Sequence, residues 1–255
     1  MRGSVNRLSK KLNGGIEWPV RARDTGTQRG RGMSEYVKLR AADGHQLGNY
    51  VALPVGEPTA ALVVVQEIFG VNAHIRSVTD GYAKDGFLAI APALFDRIEP
   101  GIELGYQGAD LETARSLIPK IDPELAVADI QAALEYAANA TGKNVGVIGY
   151  CYGGTLAWLS ATRLRPTAAV GYYGGQIEKY ADEEPSCPVM LHFGKQDTHI
   201  PPEAVEKVHA AHPEVEIYWY NAGHGFNCDA RPSYNAAAAK EARGRSLAFL
   251  KKHLG

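Results

Sequence analysis

The stretch Gly149-Tyr150-Cys151-Tyr152-Gly153-Gly154 decides how this chain folds. It follows a strand-like run, Asn144 to Ile148, and opens a helix-like run, Thr155 to Thr162. A strand, then Gly-x-nucleophile-x-Gly, then a helix is the pattern of a nucleophile elbow. The central residue must take strained backbone angles so that its side chain projects above the sheet. Only small residues two places before and two places after it avoid a clash, and Gly149 and Gly153 stand there. Gly154 lets the helix pack close to the strand. At the centre is Cys151, where most such elbows carry serine.

Outward from the elbow, strand and helix patterns alternate. Tyr36 to Arg40 and Gln46 to Leu53 read as strands joined by the hairpin signal Asp43-Gly44. Ala61 to Gln66, with Leu62 and Val63 to Val65, reads as a central strand covered on both faces. A helix is expected over Ile75 to Asp85, then a short strand over Phe87 to Ala91. Arg97 to Ile121, with Pro100, Gly101, Gly105 and Gly108, reads as a loop leading into a helix. Pro123 to Ala140 has helical spacing, and Val145 to Ile148 is the strand before the elbow. Ala168 to Tyr172, Val189 to Phe193 and Glu216 to Tyr220 add strands, and a last helix runs from Ser233 to His253. The first two strands read as antiparallel and the others as joined by crossovers. The expected fold class is α/β, a mainly parallel sheet of about eight strands with helices on both faces.

Composition narrows the class. The 255 residues suffice for one large α/β domain. A formal net charge of -1 gives no reason to expect nucleic acid or an anionic membrane as partner. No run approaches the roughly 18 apolar residues of a membrane span. Cys151, Cys187 and Cys228 are scattered, with no C-x-x-C and no H-E-x-x-H among the histidines. Neither a disulfide framework nor a metal site is expected, and a reduced, cytoplasmic compartment is. Residues 1–33 hold eight Lys or Arg against two acids, Glu17 and Asp24, with weak apolar periodicity. They read as a basic, disordered extension ahead of a single domain over 34–255.

A thiol needs a base to become a strong nucleophile near neutral pH. In elbow enzymes of this type the partners follow in the order nucleophile, acid, histidine. The acid is expected at Asp197, in Phe193-Gly194-Lys195-Gln196-Asp197. The base is expected at His224, in Ala222-Gly223-His224-Gly225-Phe226. Both lie just past strand ends, where open α/β sheets place their sites. His199 is a weaker base candidate, two residues from Asp197, and Cys187 reads as packing beside Pro188. A second motif, Gln66-Glu67-Ile68-Phe69-Gly70-Val71-Asn72, comes after the third strand. That loop and the residue after the nucleophile donate the two oxyanion-hole amides, here Ile68 and Tyr152. Glu67 is unusual, because a carboxylate at the end of an apolar strand is costly to bury unless paired.

From about residue 34 onward the chain resembles the dienelactone hydrolase (carboxymethylenebutenolidase) family, a cysteine branch of the α/β-hydrolases. The resemblance rests on QEIFGVN at Gln66 to Asn72, on Arg97-x-x-Pro100-Gly101, on GYCYGG at Gly149 to Gly154 and on GYYGG at Gly171 to Gly175. The QDTHIP and AGHGF segments add Asp197 and His224. It implies an α/β-hydrolase fold without a large cap domain and a triad of Cys151, Asp197 and His224. It also implies that Glu67 contacts the resting thiol and takes its proton when substrate binds. The thiolate then attacks a lactone carbonyl, and the acyl enzyme releases an enolate able to activate water. No cofactor is implied, and the expected partner is a small ester or lactone met by a monomer. Tyr173 and His199 are expected to line the pocket. The family binds a substrate carboxylate with two arginines. Arg97 fits the first, but Cys228 stands at the second place and Gly225 replaces a small hydroxyl residue. Arg231 lies three residues further on. Two substrates stay open: enol-lactones such as dienelactone, or uncharged small esters.

Overall fold

The apolar runs pair into one eight-stranded sheet. The protein is seen in a computed structural model that describes residues 33–255. Ahead of them it describes only two short strands, Ser9–Lys11 and Glu17–Pro19, paired antiparallel. The rest of the expected disordered extension over 1–33 lies outside the described residues. The sheet strands are β1 (Met33–Arg40), β2 (Gln46–Leu53), β3 (Ala60–Val65) and β4 (Phe87–Pro92). They continue as β5 (Val145–Tyr150), β6 (Ala168–Tyr172), β7 (Val189–Gly194) and β8 (Glu216–Tyr220). Their spatial order is β8-β7-β6-β5-β3-β4-β2-β1. Neighbours from β8 through to β4 are parallel, whereas β2 runs antiparallel to both β4 and β1.

Burial matches the sequence pattern. Every residue of β3, β4 and β5 is buried, as a strand sandwiched between two helix layers requires. The edge strand β1 is mostly exposed and tolerates Ser34, Glu35 and Lys38. Helices α3 (Pro123–Thr141) and α4 (Tyr152–Arg163) pack together on one face. Helices α1 (Ala73–Lys84) and α6 (Ala236–Leu254) are tied to each other by the Arg243–Asp85 ion pair. In α3 the stripe Ala126, Ile130, Ala133, Leu134 and Ala137 faces the core. No cap domain is inserted between the strands. Among the described residues no helix is long and apolar enough to cross a membrane.

The chain leaves β3 for β4 on one side and returns to β5 on the other. Loops that diverge in this way leave a crevice beyond the strand C-termini, the usual ligand position in such sheets. The elbow after β5 and the motif after β3 both open onto it.

The helix ends and one helix differ from the sequence reading. The last helix starts at Ala236, after the expected Ser233, because the Asn235 side chain caps it by accepting from the Ala238 amide at 3.0 Å. The stretch Arg97 to Ile121 contains α2 (Gly108–Leu117). Helix α5 (Pro202–Ala211) has no counterpart among the sequence expectations, although Pro202 at its first position and buried Val205 and Val208 carry its signal.

Arg97 is the clear departure. Its Nε and Nη2 donate to the two carboxylate oxygens of Asp129 on α3 at 2.7 and 2.8 Å. Its Nη1 and Nη2 donate to Asp43, in the β1–β2 turn, at 2.7 and 3.3 Å. The Asp129 side chain is fully buried. Two carboxylates thus take four of the five N–H donors, and Arg97, expected to bind a substrate carboxylate, instead bolts the β1–β2 hairpin to α3. Removing one partner of such a pair strands the other charge in the interior. Arg97→Ala is expected to lower the unfolding free energy in urea by about 3 kcal/mol, with kcat/KM per folded molecule unchanged. Unchanged stability with a selective loss on carboxylated substrates would return Arg97 to the pocket.

Candidate active site

Cys151 sits between β5 and α4 with φ 54° and ψ -117°, a conformation costly for any residue with a side chain. The surrounding glycines are required by contact. A Cβ on Gly149 would stand 1.8 Å from the Gly153 carbonyl oxygen. One on Gly153 would stand 2.4 Å from the Val65 oxygen, and one on Gly154 2.5 Å from the Tyr172 oxygen. The Cys151 amide donates to that same Tyr172 carbonyl at 3.0 Å, which pins the turn to β6.

Past β7 and β8, the Asp197 and His224 loops meet the elbow. His224 Nε2 lies 3.2 Å from Cys151 Sγ, and His224 Nδ1 lies 2.8 Å from Asp197 Oδ2. The second carboxylate oxygen of Asp197 accepts from the His199 amide at 2.8 Å. The Asp197 side chain is 1% exposed. Burial pushes its carboxyl up, but the bond and charge of His224 outweigh this and hold it below its ordinary range. For His224, burial disfavours the imidazolium. The Cys151 thiolate and the Asp197 carboxylate overcome that cost and raise it from 6.5 to about 10. The imidazolium is therefore the favoured form of His224, held between the Cys151 sulfur and the Asp197 carboxylate.

Two of the expected pocket residues flank this pair. The Tyr173 ring lies 5.1 Å from that of His224, and the residue has φ 39°, a second strained position at the site. Its amide donates to the His192 carbonyl at 2.8 Å, and its hydroxyl is buried without a partner among the described residues. The His199 ring, on the exposed rim, lies 5.1 Å from His224. Beneath them His192 links Tyr220 and Ser246 at 2.9 Å each, and Ser246 meets the Tyr172 hydroxyl at 2.7 Å. Burial pushes the His192 imidazolium down to about 3, so this histidine is a neutral strut. Nothing in its sequence surroundings singles it out.

Opposite the elbow, the motif after β3 is strapped down by the segment around Glu103. Gly70 bridges to Glu103, and a Cβ there would overlap the Ile102 oxygen at 1.9 Å. Leu104 donates to the Phe69 carbonyl at 2.9 Å, and Asn72 Nδ2 donates to the Leu104 carbonyl at 2.9 Å. Among the described residues, no protein acceptor takes the Ile68 or Tyr152 amide. The Tyr152 amide is one of the free N–H groups at the start of α4.

Glu67 is fully buried, and its Oε1 accepts from Arg231 Nη1 at 3.1 Å. The thiol of Cys151 turns to His224 and the carboxylate of Glu67 to Arg231. This is the arrangement that the resemblance assigned to the substrate-bound enzyme, not the resting thiol–glutamate contact. The guanidinium of Arg231 also lies over the Phe69 and Tyr106 rings, at 5.6 and 5.9 Å. A Cβ at Gly225 would meet Arg231 Nη1 at 2.4 Å. So the glycine in place of a small hydroxyl residue is what admits this arginine. Cys228 is buried, and burial, reinforced by Glu67, pushes its thiol up to about 12. A neutral thiol therefore stands where the family pattern has an arginine.

Residues 47–254 match the model of the dienelactone hydrolase family. The carboxymethylenebutenolidase of Pseudomonas putida is 36% identical over 227 residues, covering 86% of this chain and 96% of that protein. Carboxymethylenebutenolidase 1 of Cupriavidus pinatubonensis is 32% identical, covering 86% of this chain and 97% of its own. A crystal structure of a "putative dienelactone hydrolase" from Klebsiella pneumoniae superposes with a TM-score of 0.78 at 29% identity. It covers 88% of this chain and all of the other, and it shares the α/β-hydrolase sheet without a large cap. Sequence, sheet order and elbow agree: the chain belongs to the dienelactone hydrolase family and is a hydrolase of ester or lactone bonds.

Proposed function

We propose that the protein opens enol-lactones such as dienelactone through a thioester on Cys151. One observation carries this reading: the unbroken line from Asp197 through His224 to Sγ, at 2.8 and 3.2 Å. The thiolate attacks the lactone carbonyl, forming a C–S bond. Charge on the tetrahedral oxygen meets the Ile68 and Tyr152 amides, each such donor being worth about 10²–10³ in rate. Collapse breaks the ring C–O bond and releases an enolate still attached to the acyl group. The enolate takes its proton from the attacking water. The hydroxide so formed adds to the thioester, the C–S bond breaks, and the thiolate returns beside the His224 imidazolium. Asp197 keeps the Nδ1 proton on its own side of the ring and offsets the imidazolium charge.

Charge selects the substrate end. Arg97 is spent on Asp129 and Asp43, and Cys228 is uncharged, which favours neutral esters. Arg231 reverses that balance. It is a buried cation within the site, stacked on Phe69 and Tyr106, with a single carboxylate bond to Glu67. Its remaining donors suit a substrate carboxylate. We therefore read the substrate as a small carboxylated lactone bound by one arginine where the family pattern has two.

Cys151→Ala is expected to abolish turnover of dienelactone and of aryl acetates, and the wild type to show an acyl adduct by mass spectrometry in a single turnover. Retained activity would mean another nucleophile. Arg231→Ala lowers kcat/KM for the carboxylated lactone about 10–100-fold, the range of a lost charge-assisted bond, and spares a neutral aryl ester. Gly225→Ser does the same by displacing the guanidinium. Equal losses on both substrates would favour the neutral-ester reading. For stability, the raised His224 value sets the sign: its contribution is complete below pH 6.5 and is lost as pH rises towards 10. The urea-midpoint advantage of wild type over His224→Gln should shrink across that window.

A further inference from the structure

Beside the catalytic pair lies a second cluster that the hydrolytic reading does not use as a unit. Glu67 comes just after β3, His74 lies in the first turn of α1, and Cys228 sits in the loop after β8. One ligand atom from each lies within 4.8 Å of the other two. Their sequence positions carry no ligand spacing, so the sequence alone predicts no metal. Only the fold gathers them. All three are held: Glu67 by Arg231, Cys228 by its amide bond to the Gly225 carbonyl at 3.0 Å, and His74 by its helix.

Two of these groups lack what a buried polar atom needs. Among the described residues, Glu67 Oε2 and His74 Nε2 are both buried with no hydrogen-bond partner. Their side chains are 1% and 7% exposed. Stranding an acceptor in this way is costly, and two within one cluster call for a shared partner. Asp229 Oδ1 lies 3.0 Å from His74 Nδ1. In the tautomer that donates Nδ1–H to this carboxylate, a lone pair is left on Nε2. A histidine oriented by a carboxylate on its far nitrogen is the arrangement found behind bound metals.

The geometry points to a zinc site formed by Glu67, His74 and Cys228, with Asp229 orienting the histidine. A thiolate, an imidazole and a carboxylate form a donor set that suits Zn²⁺ and disfavours the hard cations Mg²⁺ and Ca²⁺. The charges also balance. Glu67 and a Cys228 thiolate cancel the two positive charges of the ion, and Asp229 offsets Arg231. Binding replaces the Cys228 thiol proton, which passes to solvent. Tetrahedral zinc holds such ligand atoms about 3.2–3.8 Å apart, so the side chains must close by roughly an ångström. Three protein ligands leave a fourth position for water or a substrate oxygen.

The test reads binding and not turnover, so it stands apart from the lactone reading. Full-length protein stripped with a chelator is titrated with zinc chloride by calorimetry and with cobalt chloride by absorbance. One zinc per chain is expected, with a thiolate-to-cobalt charge-transfer band in the near ultraviolet. Cys151→Ser should keep both signals, and Cys228→Ser should lose the band. Asp229→Asn changes an exposed carboxylate and keeps its shape. It should weaken zinc about tenfold by freeing the histidine. The proposal is overturned if wild type binds no zinc or if Asp229→Asn binds as tightly as wild type. It also fails if the band survives in Cys228→Ser and vanishes in Cys151→Ser, which would place the ion on the catalytic pair.

Discussion

The close approach of α4 to the ends of β3, β5 and β6 is the constraint on which the rest depends. It leaves no space for a Cβ on Gly149, Gly153 or Gly154. It also forces Cys151 to φ 54°. The carbonyls that crowd Gly153 belong to Val65 and Gln66, immediately before the Glu67–Asn72 motif. So the contact that raises the thiol above the sheet also fixes the strand end that leads to the Ile68 amide. Nucleophile and candidate oxyanion donors are positioned by one packing event, and neither needs a dedicated support. The strain is offset by the apolar burial of the three strands behind it.

Much of this is legible in the chain because the signals are local. Buried parallel strands must be apolar on both faces, so Ala61–Val65 and Val145–Ile148 announce themselves. The elbow is a contiguous steric pattern, and the order of Asp197 and His224 reflects strand order. The hidden part depends on where long side chains reach. Arg97 lies in a family-like segment, yet its partners are Asp43 and Asp129, residues brought together only by the β1–β2 hairpin and α3. The same holds for His74. Nothing in the helix sequence Ala73–Lys84 says that its histidine will face Glu67 and Cys228. Helix α5 is hidden for a different reason. Pro201-Pro202 reads as a loop signal, and only the pair Val205 and Val208, three residues apart on one buried face, marks the helix that the second proline opens.

Three departures from the family pattern, at Gly225, Cys228 and Arg231, are physically one change. A side chain at 225 would displace the guanidinium of Arg231 from its present position, since Gly225 leaves its Cβ position to that group. With glycine at 225 and a small thiol at 228, the cation reaches Glu67 from three residues downstream. Position in sequence changes while the charge is kept at the carboxylate.

Glu67 is where these arguments converge. Its carboxylate is fully buried, one oxygen meets Arg231, and the other meets no hydrogen-bond partner among the described residues. A buried charge with half its hydrogen-bonding capacity unmet is expensive to maintain, and packing alone gives no reason to keep it. The group must be retained for what its free oxygen can receive. Three recipients fit the surrounding chemistry: the thiol proton of Cys151, as the resemblance implies, a water at the pocket floor, or a cation shared with His74 and Cys228. The first would leave His74 Nε2 unsatisfied. A lone water can serve both orphaned acceptors but leaves the adjacent soft donor of Cys228 without a role. The cation satisfies both acceptors and uses the third ligand, so a proton role and a metal role for Glu67 are competitors for one oxygen atom.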